Sequence, residues 1–213
     1  MAGHSTLALM PTGAGKSLTY QFLASLGKEN ELILVISPLI ALMQDQATKA
    51  VEHGIDSTYI NSSLSLEQKQ ARMSQVSEGR YKLLFVAPER FQKPEFWKCL
   101  ETRKLSLFVV DEAHCISLWG HDFRPDYAKL EGYRQKLGSP PLLALTATAT
   151  PEVQADIAKQ FSLDLKTEMI LGGLERPNLS LNFFDCYGES EKNEKLLELL
   201  KIQGENPGLV IFH

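Results

Sequence analysis

Short apolar runs, separated by longer stretches in which apolar residues return every three or four positions, organise most of this chain. The runs lie at 6–9, 32–36, 83–86, 105–110 and 142–145, with a weaker one at 58–60. An unbroken apolar run of this length suits a strand covered on both faces, because alternation arises only where one face meets water. Between the runs, Leu39, Met43, Ala47 and Ala50 with Val51 trace one helical face. Ser65 with Gln68 forms a capping-box pattern ahead of a helix carrying Leu66, Met73 and Val76. Thr150 followed by Pro151 reads as an N-cap with proline at the first helical position. Strand and helix alternate, which predicts an α/β fold built on a parallel sheet with helices on both faces.

The pattern breaks at 172–178, where Gly172, Gly173 and Pro177 interrupt it. A first domain is therefore expected over 1–172, and a linker with the truncated start of a second α/β domain over 173–213. That second piece holds a strand-like run at 179–185, a charged helix at 191–202 and a final apolar run at 209–212. At about 40 residues it is too small for an independent core.

Composition narrows the class. The chain has 213 residues, of which 44% are hydrophobic, enough for one substantial core. Twenty-two basic against 26 acidic side chains give a formal charge of −4, so no basic coat draws in nucleic acid, and any such binding must use local contacts. Cys99, Cys115 and Cys186 are far apart and make neither a disulfide framework nor a zinc pattern. No apolar run approaches the roughly 20 residues that cross a membrane. The expected setting is soluble and intracellular, the cytoplasm of a bacterium or a nucleus.

Chemistry enters directly after the first run. In Pro11-Thr12-Gly13-Ala14-Gly15-Lys16-Ser17, two glycines let the backbone aim successive N–H groups at phosphate oxygens. Lys16 brings a point charge to the outer phosphates, and Ser17 offers a hydroxyl to Mg²⁺. A helix over 17–26 would add the positive end of its dipole. The first glycine of the general pattern G-x-x-x-x-G-K-[ST] falls on Met10, so the loop is a variant. Alone it leaves kinases, GTPases, transporters and motor ATPases open.

The run at 105–110 delivers Asp111-Glu112-Ala113-His114 at its carboxyl end, where ligands sit in such sheets. On a strand expected beside the phosphate loop, Asp111 would hold Mg²⁺ and Glu112 would polarise the attacking water. Two adjacent carboxylates favour hydrolysis over transfer to a small acceptor. His114 could join this pair to the strand end at Thr146 and Thr148 through hydrogen bonds; the plainer reading makes these threonines strand-end and cap residues.

Pro11 to Ser17, Asp111-Glu112-Ala113-His114 and Thr146-Ala147-Thr148 resemble motifs I, II and III of superfamily 2 helicases. Ser37-Pro38-Leu39-Ile40-Ala41-Leu42-Met43-Gln44-Asp45-Gln46, Ala87-Pro88-Glu89-Arg90 and, above all, the stretch from Cys115 through Trp119-Gly120-His121-Asp122-Phe123-Arg124 to Tyr127 are similar to the RecQ family of DNA helicases. That stretch mixes the rings of Trp119, Phe123 and Tyr127 with His114, His121 and Arg124, a set suited to stacking on bases and touching phosphates of a single strand. Alternatively, Trp119 and Phe123 pack into the domain.

The resemblance implies a RecA-like P-loop NTPase fold, ATP and Mg²⁺ as cofactors, and single-stranded or partly duplex DNA as partner, with 3′ to 5′ travel in recombination or repair. It implies that Lys16, Asp111 and Glu112 carry catalysis and that Thr12, Gly13, Ala14, Gly15, Lys16 and Ser17 hold the nucleotide. Ser37, Pro38, Arg90, His114, Trp119, His121, Phe123, Arg124, Thr146 and Thr148 become the DNA-binding or coupling set. It further implies a second RecA-like domain in cis that supplies arginines to the ATP, an upstream adenine-reading segment, and zinc-binding, winged-helix and further C-terminal regions, so the chain reads as a fragment. A binding fragment without turnover and an RNA helicase of the same superfamily are the alternatives.

Overall fold

The computed structural model describes residues 3–119, 122–163, 168–172 and 182–203. Two compact units divide the chain, Met1–Leu174 and Glu175–His213. Among the described residues the first unit is an α/β layer structure. Its strands are β1 Thr6–Leu9, β2 Glu31–Ile36, β3 Ser57–Ile60, β4 Leu83–Val86, β5 Lys104–Val110, β6 Leu142–Thr146 and β7 Glu168–Leu171. All pair in parallel, in the order β3-β4-β2-β5-β6-β1-β7.

Each strand alternates its side chains between two faces, and both faces are covered, which is why the strands read as continuous apolar runs. On one face Leu32, Leu34, Ile36, Phe108 and Val110 join a core with helices α3 Leu66–Ser77, α4 Pro94–Leu100, α5 Leu130–Lys136 and α6 Pro151–Gln160. On the other, Ile33, Val35, Leu107 and Val109 meet α1 Lys16–Leu26 and α2 Ile40–Glu52. The expected capping box is present: the Ser65 side chain accepts from the Gln68 N–H while Gln68 reaches back to the Ser65 N–H. Thr150 caps α6 by accepting from the Val153 N–H, with Pro151 at the first helical position.

Several expectations need correction. The strand bearing the carboxylates approaches the phosphate loop across one intervening strand, since β6 lies between β1 and β5. Hydrophobic pattern marks a strand but carries nothing about where a crossover returns it. The short strand β7, beside β1 at the sheet edge, was not anticipated. On α2, Val51 is exposed because it sits one residue, and so about 100° of helix, past the buried Ala50. Leu66, in the first turn of α3, is exposed as well.

In the second unit the helix expected at 191–202 is present as α7, Glu189–Gln203. Of the strand-like run at 179–185, residues 182–185 form no strand, since among the described residues of this unit no neighbouring strand supplies a ladder. Residues 173–178, 179–181 and the run at 209–212 lie outside the described residues. No helix among the described residues is long and apolar enough to cross a membrane.

Candidate functional site

Parallel pairing brings the carboxyl ends of β1, β2, β4, β5 and β6 to one edge of the sheet, and every motif noted in the first unit's sequence follows one of those ends. After β1 the chain turns through Gly13 and Gly15, with φ of +85° and +84°. A Cβ at Gly13 would meet nothing within 4 Å, so backbone angle rather than space requires glycine there. Thr12, Gly13 and Ala14 are exposed. Gly15 caps α1 without a side-chain bond, and no acidic residue sits in the first turn, leaving the helix dipole open to an anion. Lys16 folds over the loop, its Nζ 3.4 Å from the Met10 carbonyl. The Met10 N–H donates to the Thr146 carbonyl at 2.9 Å, which extends the β1–β6 ladder and needs no glycine.

Asp111 follows β5, its N–H bonded to the Ile36 carbonyl at 2.9 Å. Burial, and then the neighbouring Glu112 charge, lift its carboxyl to about 6, while the Glu112 N–H at 3.0 Å and the Lys16 ammonium oppose the shift. A cation would therefore be welcome. Ser17 and Asp111 together offer hard oxygen donors, a set that fits Mg²⁺ held jointly with nucleotide phosphates. Among the described residues no group of three or more His, Cys, Asp or Glu side chains could hold a metal, so the protein would supply only part of such a shell. Tyr20, one turn along α1 from the loop and missed in the sequence, is buried, and burial raises its pKa.

Glu112 adopts the left-handed region at φ +50°, an arrangement that costs about 1–2 kcal/mol for a residue with a Cβ. Its Oε2 lies 3.3 Å from His114 Nδ1, which also meets Thr146 Oγ1 at 2.9 Å. Thr146 gives its own proton to the Thr148 carbonyl at 3.0 Å and accepts from the Thr148 N–H at 3.2 Å. With a carboxylate and a committed hydroxyl before it, His114 Nδ1 must carry the proton. His114, Thr146 and Thr148 are thus hydrogen-bonded in series, with the Glu112 carboxylate in contact with the His114 end of it, and Thr150 separately caps α6.

The aromatic stretch divides. Trp119 is 79% exposed and Phe123 36%, so Trp119 is not a core residue, whereas Tyr127 is fully buried and donates to the Asp111 carbonyl at 3.0 Å. Tyr127 is therefore a support for the carboxylate strand end and not a stacking surface. Arg124 is engaged within the protein: it donates to the Pro38 carbonyl at 3.0 Å and pairs with Asp122 at 3.3 Å. That contact ties the stretch to Ser37 and Pro38, both buried, so these two can couple but present little surface. Arg90 sits in a 3-10 turn, Pro88–Gln92, with its Nε buried and unpartnered. His121 lies outside the described residues.

Two further contacts had no signal in the sequence. Ser117 Oγ donates to Asp156 Oδ2 on α6 at 2.6 Å and accepts from the Trp119 N–H at 3.2 Å. Gly172, read as a boundary, donates to the Leu9 carbonyl at 2.7 Å at the root of the phosphate loop.

Known proteins resemble this chain in sequence and in fold. The DEAD/DEAH box helicase family pattern matches residues 1–157. The chain is 41% identical over 212 residues to "Probable ATP-dependent DNA helicase RecS" of Bacillus subtilis, covering 99% of this chain and 41% of that protein. It is 46% identical over 154 residues to "ATP-dependent DNA helicase Q5" of Rattus norvegicus, covering 70% of this chain and 16% of that one. The chain thus spans less than half the length of these relatives. The Hef helicase domain of Pyrococcus furiosus superposes with a TM-score of 0.58 at 19% identity, over 79% of this chain and 35% of that one, which shows a shared fold. The chain belongs to the DEAD/DEAH box helicase family, with a RecA-like fold and RecQ-type DNA helicases among its relatives.

Proposed function

We propose that this chain is the first motor domain of an ATP-dependent DNA helicase that couples ATP hydrolysis to 3′ to 5′ movement along a single strand and to duplex opening, in recombination or repair. The observation that carries this reading is the series Glu112–His114–Thr146–Thr148, which joins a hydrolytic carboxylate to the end of the strand next to the phosphate-loop strand. The backbone N–H groups of Gly13 to Lys16 and the start of α1 hold the phosphates, and Lys16 leaves the Met10 carbonyl for the outer phosphate oxygens. Ser17 and Asp111 would hold Mg²⁺, which would supply positive charge to offset that of the phosphates. Glu112 orients and deprotonates the attacking water, while His114 reports its position to β6. Exposed Trp119 and Phe123 supply surfaces for bases, as sequence-tolerant stacking requires.

The test is a titration of Mg-ATP against the chain, followed by ATPase assays with and without DNA on the full-length protein. Lys16→Ala is expected to weaken nucleotide binding, and Glu112→Gln to retain it while abolishing turnover, since an amide cannot act as a base. An unchanged dissociation constant for Lys16→Ala would remove the loop as the nucleotide site. Stimulation by RNA but not DNA strands would favour the RNA helicase alternative. Absence of turnover in the full-length protein would leave a binding module.

A further inference from the structure

We infer that Asp156 is a positioning residue: through Ser117 it fixes the direction in which the Trp119 loop leaves the protein. The inference rests on the motor-domain reading for its functional meaning, but its geometry stands alone. Ser117 is 1% exposed and has a single hydroxyl proton. That proton goes to Asp156 Oδ2 at 2.6 Å, a short bond to a charged acceptor, which leaves an oxygen lone pair turned to the Trp119 N–H at 3.2 Å. The carboxylate therefore sets the orientation of the hydroxyl, and the hydroxyl holds the backbone that carries the exposed ring.

The 3-10 turn Ala113–Ile116 packs among the same buried side chains as α6, and it and the residue after it are hydrogen-bonded to the β6–α6 corner by two side chains. One is His114 on Thr146 and the other is Ser117 on Asp156. A single attachment would leave a pivot, whereas two attachments three residues apart define a direction as well as a position. Thr150 caps α6 at Val153, so the helix bearing Asp156 starts from the same strand end that His114 touches. Loss of Asp156 frees one end of the turn while the nucleotide loop, Asp111 and Glu112 keep all their contacts.

Trp119 can report this directly, because the chain has two tryptophans and the other, Trp97, can be replaced by phenylalanine. In that background the readouts are the fluorescence anisotropy of Trp119, its quenching by oligothymidylate, and the dissociation constant for Mg-ATP. Asp156→Ala is expected to lower the anisotropy and weaken oligothymidylate binding roughly tenfold, about the worth of one hydrogen bond to a charged group, with Mg-ATP binding unchanged. Asp156→Asn, which can still accept from Ser117, should restore most of both. Ser117→Ala should match Asp156→Ala. Wild-type anisotropy and quenching in Asp156→Ala, or a lower melting temperature with no change in either, would overturn the assignment. If oligothymidylate leaves the unmodified loop unquenched while Asp156→Ala still lowers the anisotropy, the positioning role holds and the DNA reading fails.

Discussion

Asp111 shows what one residue can cost its fold. Its carboxyl is lifted from the usual 3.8 to about 6, mainly by burial, so the neutral form is favoured in the folded chain. The associated stability is fully present below about pH 4 and is lost as pH rises through 6; at neutral pH the group is charged and the fold carries a penalty. Asp111→Asn should therefore raise the melting temperature of the chain in EDTA at pH 7–8, by a free energy on the order of 2–3 kcal/mol, with the gain fading towards pH 4. Thermal melts from pH 4 to 8 test this; an equal gain at every pH would trace the effect to packing instead. Residue identities were the most legible part of the site, since glycines, lysine and paired carboxylates state their chemistry by type. Their surroundings were less so. Nothing in the spacing of Trp119, Phe123 and Tyr127 separates an exposed ring from the one that is buried against Asp111, because burial depends on which way the chain turns after 116.

At the scale of elements, local signals were read well and long-range placement was not. Ser65 with Gln68 and Thr150 with Pro151 mark helix starts because the capping groups lie within three residues of each other. The pairing of β6 and of β7 with β1 depends on contacts more than a hundred residues apart, which no local pattern encodes. Helix α1, expected over 17–26, is present at Lys16–Leu26; Tyr20 and Ala24 are buried, while Leu18, Phe22 and Leu26 on the opposite side are exposed. Gly172 connects these elements. A Cβ there would stand 2.9 Å from the Leu9 carbonyl oxygen and 3.4 Å from Pro11 Cδ, neither of which can swing aside. Gly172→Ala should therefore push β7 away from the phosphate-loop root, destabilising the chain by about 1–3 kcal/mol and weakening nucleotide binding. Chemical denaturation and Mg-ATP titration read both, and an unaltered affinity at reduced stability would confine the effect to the sheet edge.

For the whole molecule, the low net charge means that the DNA binding proposed above would rest on a few contacts such as the exposed Trp119 and not on a broad electrostatic field. The sheet order has a consequence in time. Among the described residues the ladders of strand β1 run to β6 and β7, so residues 6–9 wait for 142–146 and 168–171 to arrive. Closing such wide loops is slow relative to local pairing. Strands β2, β4 and β5 can associate without it. Pulse-labelled hydrogen exchange during refolding should accordingly protect the amides of Ile33 to Ile36 before those of Leu7 to Leu9; simultaneous protection would indicate one concerted step. On the ribosome the same geometry leaves the loop after β1 without its supporting strands until nearly the entire first unit has been synthesised, so the nucleotide binding proposed for it would be acquired late.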